Sequence, residues 1–339
     1  MSAQLSNTSA AGRKALVMQG MQASITARVK AGVDLKSPTC IYGLCEAHNV
    51  AVRFNDINME GMYDRTPKPR IHVSVLRPLA RRTFTCAHEL GHHVFGHGST
   101  IDELREDQAN SADRPPNETL ADAFAAFVLM PTLGLREAFA KRGLDPNRAT
   151  ALDMYAIACN FGVGQATLVN HLAYGINMIN QVQRDRLGRI TPKMIRTELL
   201  GEVVSMPLTV ADQHWNSPTL DIEKDALLLL PSGVVVDVSM LAPERELAAG
   251  RLFRAAKCGI TRVAIPGTPW ATYVRIEFQA VIMVGLENGI FPSSYDRTDE
   301  QLEEAARLFY VGVTRAKTQI HLIFDSDESP LITSIREAT

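Results

Sequence analysis

The sequence has little excess charge and no long hydrophobic run, and both absences narrow what the chain can be. Thirty-five Lys and Arg stand against 37 Asp and Glu, a formal net charge of −2 over 339 residues. Global charge therefore does not draw the chain to nucleic acid or an anionic membrane, although a local basic patch remains allowed. No stretch approaches the ~18 consecutive apolar residues of a membrane span. Arg13 and Lys14 lead into no long apolar run, so neither a signal nor a transit peptide is expected, and a cytoplasmic location is. Cysteine is scarce. Cys40, Cys45, Cys86, Cys159 and Cys258 are scattered without a C-x-x-C pair, which reads as reduced thiols and not as a disulfide frame or a Cys-type zinc site. No internal repeat, no low-complexity tract and no G-x-x-x-x-G-K-[ST] phosphate loop occurs.

What is present is enough for a buried core: 46% of residues are apolar and 21% charged. The length fits about two domains, or three small ones. Residues 1–12 read as a loose tail. Leu16, Val17, Met21, Ile25 and Val29 then recur at helical spacing. A short helix is predicted over Cys40–His48, and strands over Ala51–Ile57 and Ile71–Leu76 with a loop or hairpin between them. Leu79–Phe95 reads as a helix ended by Gly96 and Gly98. Asp102–Asp113 reads as a charged surface segment. Pro115-Pro116-Asn117 opens a helix that stops at Pro131, and two more helices are predicted within Leu135–Met178. The basic stretch Gln181–Lys193 reads as a linker. From Glu202 the texture is β, with short strands predicted at Ala226–Leu230, Val234–Val238, Arg262–Ile265 and Tyr273–Ile276. Ala280–Asp325 reads as strand, loop, helix, strand.

The sharpest chemical signal is His88-Glu89-Leu90-Gly91-His92, an H-E-x-x-H on a predicted helix. Residues i and i+4 share a helix face, so two imidazoles can reach one ion at the ~2.0–2.1 Å of a Zn–N bond. Glu89 points about 100° away round the helix, where it can hold a proton instead of binding the ion. A catalytic zinc usually takes a third protein ligand and keeps one position open. Glu118 and Asp122, themselves i and i+4 on the next helix, are the candidates. Glu118 could instead merely complement that helix's dipole. His93 falls on the wrong face for the ion. His97, beyond Gly96, could hydrogen-bond near the site.

The segment Phe84-Thr85-Cys86-Ala87-His88-Glu89-Leu90-Gly91-His92, with Glu118-Thr119-Leu120-Ala121-Asp122-Ala123-Phe124-Ala125-Ala126 and Leu129-Met130-Pro131, resembles the ImmA/IrrE family of metallopeptidases over roughly residues 13–180. The resemblance implies His88, His92 and Glu118 as ligands of one zinc ion and Glu89 as general base. Asp122, at the family's Asp/Asn position, would orient a histidine. It also implies a protein substrate, a DNA-binding helix-turn-helix repressor cut at one site. If Ile71–Leu76 were a sheet edge, substrate could add to it as an extra strand.

Tyr155–Val163 followed by Thr167–Leu172 has helix-turn-helix spacing, yet residues 151–180 hold no Lys or Arg for phosphate contacts. A helical hairpin packed on the peptidase is expected there, and direct nucleic-acid binding is not. Further on, Ile276–Pro292 and Leu308–Lys317 resemble the last two motifs of UvrD-type helicases, in which the arginine matching Arg315 reaches the nucleotide's terminal phosphate. Without a phosphate loop the tail is not expected to be a motor; packing or docking of a partner is expected.

The sequence therefore predicts an α+β chain. A mostly helical, zincin-like metallopeptidase domain with a small sheet (13–180) is followed by a linker (181–199), a β-rich region (200–275) and a short β-α-β tail (276–339). The expected function is zinc-dependent limited proteolysis in a stress-response or mobile-element regulatory circuit. The rival is a non-catalytic adaptor for a regulator or a helicase partner.

Overall fold

Small residues decide how the helical half packs. Helix α1 (Ala10–Lys30) turns Leu16, Gly20, Ser24, Ala27 and Arg28 inward, while Met18, Ile25 and Val29 stay exposed. Of the apolar stripe read from the sequence, Leu16 is buried, Val17 and Met21 are half-buried, and Ile25 and Val29 are exposed. Small side chains win because they let α1 lie close on the helix that opens at Pro116, and Arg28 finds partners in the interior. The computed structural model describes residues 10–55, 59–66, 68–102, 115–283, 286, 290–292, 298–303, 305–306, 316–322 and 327–333. The predicted surface segment beyond Asp102 lies outside them, as does Arg315.

Helix α2 (Ile41–Ala47) leads into a four-stranded sheet, β1 (Ala51–Asn55), β2 (Gly61–Asp64), β3 (Arg70–Ser74) and β4 (Thr100–Asp102), in the order β1-β3-β2-β4. Strand β3 pairs parallel with β1 and antiparallel with β2. It is therefore an interior strand with both edges hydrogen-bonded, and the expectation that substrate adds to it is overturned. Ile71, Val73 and Tyr63 are buried on one face of the sheet, over α3 (Leu79–Val94). Helix α4 (Pro116–Leu129) is the central rod, packed by α1 on one side and by α3 on the other. Its composition, A-x-A with Phe124, Phe127 and Val128, leaves it buried on nearly every face.

Helices α5 (Thr132–Lys141), α6 (Ala151–Asn160) and α7 (Gln165–Asn170), the last running into a π-turn over His171–Gly175, complete the main core. The sequence predicts two helices within Leu135–Met178, whereas three are present and the first begins at Thr132. Thr150 caps α6 through a reciprocal box with Asp153. Leu168, Val169 and Leu172 are buried in the same core, so the face that a DNA-reading helix would expose is packed away.

Residues 181–199 are not a linker but two helices, α8 (Gln181–Gly188) and α9 (Pro192–Leu200). Asn180 and Thr191 accept hydrogen bonds from the main chain three residues on, and Pro192 occupies the first turn of α9. Leu187, Ile195 and Leu200 are buried. Charge in this stretch marks solvated helix faces, which the sequence reading mistook for irregular chain.

The C-terminal half holds β5 (Leu208–Val210), β6 (Thr219–Glu223), β7 (Leu227–Leu230), β8 (Leu241–Leu247), β9 (Gly250–Ala255), β10 (Gly259–Ala264), β11 (Ala271–Met283) and β12 (Ala316–Leu322). One sheet runs β5-β7-β9-β8; the other is built around β11, which pairs with β10, β6 and β12. The predicted strand at Val234–Val238 is absent. Val235 makes one bridge to Ala264, and Asp237 turns the chain by accepting from Ser239. Strands β11 and β12 run parallel, the two strands of the tail's β-α-β reading. The two halves meet through polar contacts: Arg142 grips Asp212 with two bonds of 2.7 and 2.8 Å, Tyr155 Oη donates to the Leu208 carbonyl, and Arg82 reaches Glu223 at 3.3 Å.

Arg28 ties three segments together. Its guanidinium donates to the carbonyls of Val128, Asp34 and Ser37 at 2.6–2.8 Å. Burial lowers its pKa to about 10, still protonated at neutral pH, with the Asp34 charge opposing the shift. Arg28→Met leaves those carbonyls unsatisfied and is expected to cost about 3 kcal/mol in urea unfolding.

His171 donates through Nε2 to the Met130 carbonyl at 3.1 Å. Burial pulls its pKa from 6.5 to about 4, the Met130 bond opposing. The unfolded chain binds the proton first, so stability is full above pH 6.5 and is lost as pH falls towards 4, by about 3 kcal/mol. The His171→Gln variant is expected to lose that part of the acid sensitivity when unfolding free energies at pH 7 and pH 4 are compared.

Candidate metal centre

Helix α3 presents His88 and His92 one turn apart on the side that faces α4. Both are buried, and Glu89 between them is wholly so. The glycine at position 91 is what lets α4 approach. A Cβ built there would lie 3.0 Å from Ala121 Cα, on the backbone of α4 itself. The first two turns of α4 therefore come within side-chain reach of α3, and those turns carry Glu118 and Asp122.

The ring nitrogens His88 Nε2 and His92 Nε2 lie 3.0 Å apart. Glu118 Oε2 is 3.4 Å from the first, and Glu118 Oε1 is 3.5 Å from the second. Four ligands at ~2.0–2.1 Å around a tetrahedral ion stand ~3.3 Å from one another. The three observed separations, the two to Glu118 ending on different oxygens of its carboxylate, lie near that spacing. Among the described residues this is the one cluster of three His, Cys, Asp or Glu side chains close enough to share an ion.

The outer contacts set the protons. His88 Nδ1 lies 2.9 Å from Asp122 Oδ1, a carboxylate that can only accept, so Nδ1 carries the proton and the Nε2 lone pair faces inward. His92 Nδ1 lies 2.8 Å from His97 Nδ1. With a proton on His92 Nδ1 donated to His97, the second Nε2 lone pair also faces inward. Two lone pairs and a carboxylate then converge within hydrogen-bond distance, an arrangement that a cation relieves. The donor set thus fits a divalent ion on its own chemistry.

Two nearby histidines are held differently. His97 stacks on Phe95 with ring centroids 5.7 Å apart. Burial lowers its pKa, partly offset by the Glu118 charge. His93 points away from the cluster and takes Tyr63 Oη at 2.9 Å. Arg315 lies outside the described residues.

Sequence reasoning passed over Gly91, Gly61 at the start of β2, and Glu60 just before it. The glycine inside the motif was a readable signal for close helix approach. Nothing local in the sequence marks Glu60 or Gly61, whose partners lie one strand and one helix away.

Residues 45–172 match the family model of the IrrE N-terminal-like domain of peptidase family M78. That match supports a metallopeptidase-like function. It takes in α3 and α4 with all the residues just described, and leaves out α1, which nevertheless packs on α4. Residues 276–327 match the UvrD-like helicase C-terminal domain. The ATP-dependent DNA helicase PcrA of Bacillus subtilis (strain 168) is 46% identical over 48 residues, 14% of this chain and 6% of that protein. PcrA of Leuconostoc citreum is 50% identical over 48 residues, with the same shares. DNA helicase II of Haemophilus influenzae is 47% identical over 51 residues, 14% of this chain and 7% of that protein. The chain thus spans less than a tenth of the length of these curated relatives.

Removing a group that fixes a ligand's proton typically costs 10–100-fold in metal affinity. Asp122→Ala and His97→Phe are each expected to weaken zinc binding by about that factor in chelator competition. A change below 3-fold in both would mean that neither side chain holds a ligand in place.

Proposed function

We propose that the chain is a zinc-dependent endopeptidase. The observation that carries this reading is the His88, His92 and Glu118 cluster, its two Nε2 atoms 3.0 Å apart and 3.4 and 3.5 Å from the two Glu118 oxygens, beside a buried Glu89 that is not part of it. Two imidazoles and one carboxylate favour zinc over magnesium or calcium, which prefer all-oxygen sites. When bound, the ion supplies Lewis-acid polarisation of a carbonyl and makes a water acidic enough to lose its proton near pH 7.

The chain's own residues do the rest. Asp122 and His97 hold the two imidazoles in the tautomer that points Nε2 at the ion. Glu89 accepts the proton from the attacking water and returns it to the leaving amine of the cut peptide bond. Glu118, anchored in the first turn of α4, supplies negative charge that keeps the site near neutral overall.

The substrate we propose is a DNA-binding repressor of the helix-turn-helix type, cut once within a stress-response or mobile-element circuit. Its support is the likeness of residues 84–92 and 118–131 to peptidases of that kind. A cytoplasmic setting is supported by the free cysteines, two of which, Cys45 and Cys86, lie 3.6 Å apart in the core as thiols. No single helix among the described residues is long and apolar enough to cross a membrane. The helicase-like tail is read as a docking element. The sequence holds no phosphate loop to complete a nucleotide site with Arg315.

Glu89→Gln keeps the shape and removes the base. It is expected to bind zinc within about 3-fold of wild type and to lose at least ~100-fold of peptide-bond hydrolysis on a repressor substrate. Equal cleavage by wild type and variant would contradict the enzyme reading and favour the adaptor.

A further inference from the structure

Glu60 and Gly61, where the chain enters β2, lie along the row Arg81, Thr85 and Glu89, three positions spaced one turn apart along α3. Glu60 is buried there and ion-paired twice, to Arg77 Nε at 3.2 Å and to Arg81 Nε at 2.8 Å. Its carbonyl faces the Ser74 amide at 3.4 Å, on the neighbouring strand. Residue 60 is thereby pinned over the first turn of α3. The next residue, Gly61, sits between Val73 of β3 and Asp102 of β4 in the sheet register, so its main chain cannot shift sideways.

Beneath Gly61 lies the carboxylate of Glu89. A Cβ built on Gly61 would come 3.0 Å from Glu89 Oε1, 3.3 Å from Glu89 Cγ and 2.4 Å from Thr85 Cγ2. The bare main chain of β2 therefore forms the roof over this side chain. A glutamate has three rotatable bonds, and a proton carrier must be held within a fraction of an ångström of its place.

We infer that Gly61 is a positioning residue: its missing side chain, on a strand pinned by the Glu60 ion pairs, sets where the Glu89 carboxylate stands. This inference rests on the reading of Glu89 as the general base. A competing explanation is that the glycine only makes room for Thr85, and the two can be separated because Thr85→Ser removes the methyl that a Cβ would strike while leaving Glu89 in its path.

The experiment compares wild type, Glu89→Gln, Gly61→Ala, Thr85→Ser and the Gly61→Ala/Thr85→Ser double variant in the full chain. For Gly61→Ala, kcat is expected to fall 10–100-fold, while KM and the zinc Kd stay within about 3-fold of wild type. Adding Thr85→Ser is expected to restore the melting temperature but not kcat. Unchanged kcat in Gly61→Ala, or recovery of kcat together with melting temperature in the double variant, would overturn the proposal.

A second readout needs no turnover. With cobalt(II) as the bound metal, the visible absorption of Gly61→Ala is expected to move in the same direction as that of Glu89→Gln. A spectrum identical to wild type would show that Glu89 has not moved and would overturn the positioning role. Absence of hydrolysis by wild type, with the cobalt shift present, would count against the peptidase reading alone.

Discussion

The structure depends on one unfavourable convergence: two imidazole lone pairs and a carboxylate aimed at the same small volume. With both Nε2 atoms unprotonated, like partial charges at 3.0–3.5 Å repel in a water-poor setting, and a divalent ion would turn that repulsion into binding energy. Much of the surrounding architecture serves to hold the three groups there. Gly91 brings α4 against α3, Asp122 and His97 meet the Nδ1 atoms of the two rings, and the sheet closes over Glu89 from the other side. An ordinary helix pair would keep such groups apart and solvated.

The fold supports this arrangement from two directions. On the helical side, α4 is held between α1 and α3, and Arg28 joins the end of α1 to the Val128 carbonyl and to the 34–37 turn. On the strand side, Glu60 gathers Arg77 and Arg81 at the start of α3, while Arg82, in the same turn, reaches Glu223 of β6. Strand β6 pairs with β11, the strand that leads into the helicase-like segment. The helix that carries His88 and His92 is thus anchored at its N-terminus by both halves of the chain, and its partner Glu223 lies between the two stretches that the family models match.

The candidate site was more legible in the sequence than the packing. His88, Glu89 and His92 announce themselves because helical spacing alone puts two like ligands on one face. Glu118 and Asp122 could be nominated on the same ground but not placed, since the α3–α4 distance depends on Gly91 meeting Ala121. Helix α1 was found, yet its buried face was misread, because Gly20, Ser24 and Ala27 carry little hydrophobic signal and Arg28 carries the opposite one. Helices α8 and α9 were missed because their caps, Asn180 and Thr191, sat among charges that suggested a linker. The placement of β3 inside its sheet is a matter of strand order, which no local pattern encodes.

Zinc K-edge X-ray absorption on the protein loaded with one equivalent of zinc tests the central claim most directly. The account predicts nitrogen and oxygen scatterers alone, at ~2.0–2.1 Å, with an outer-shell imidazole signature that halves in His92→Ala. A sulfur scatterer at ~2.3 Å, or failure to take up one equivalent of zinc, would contradict it.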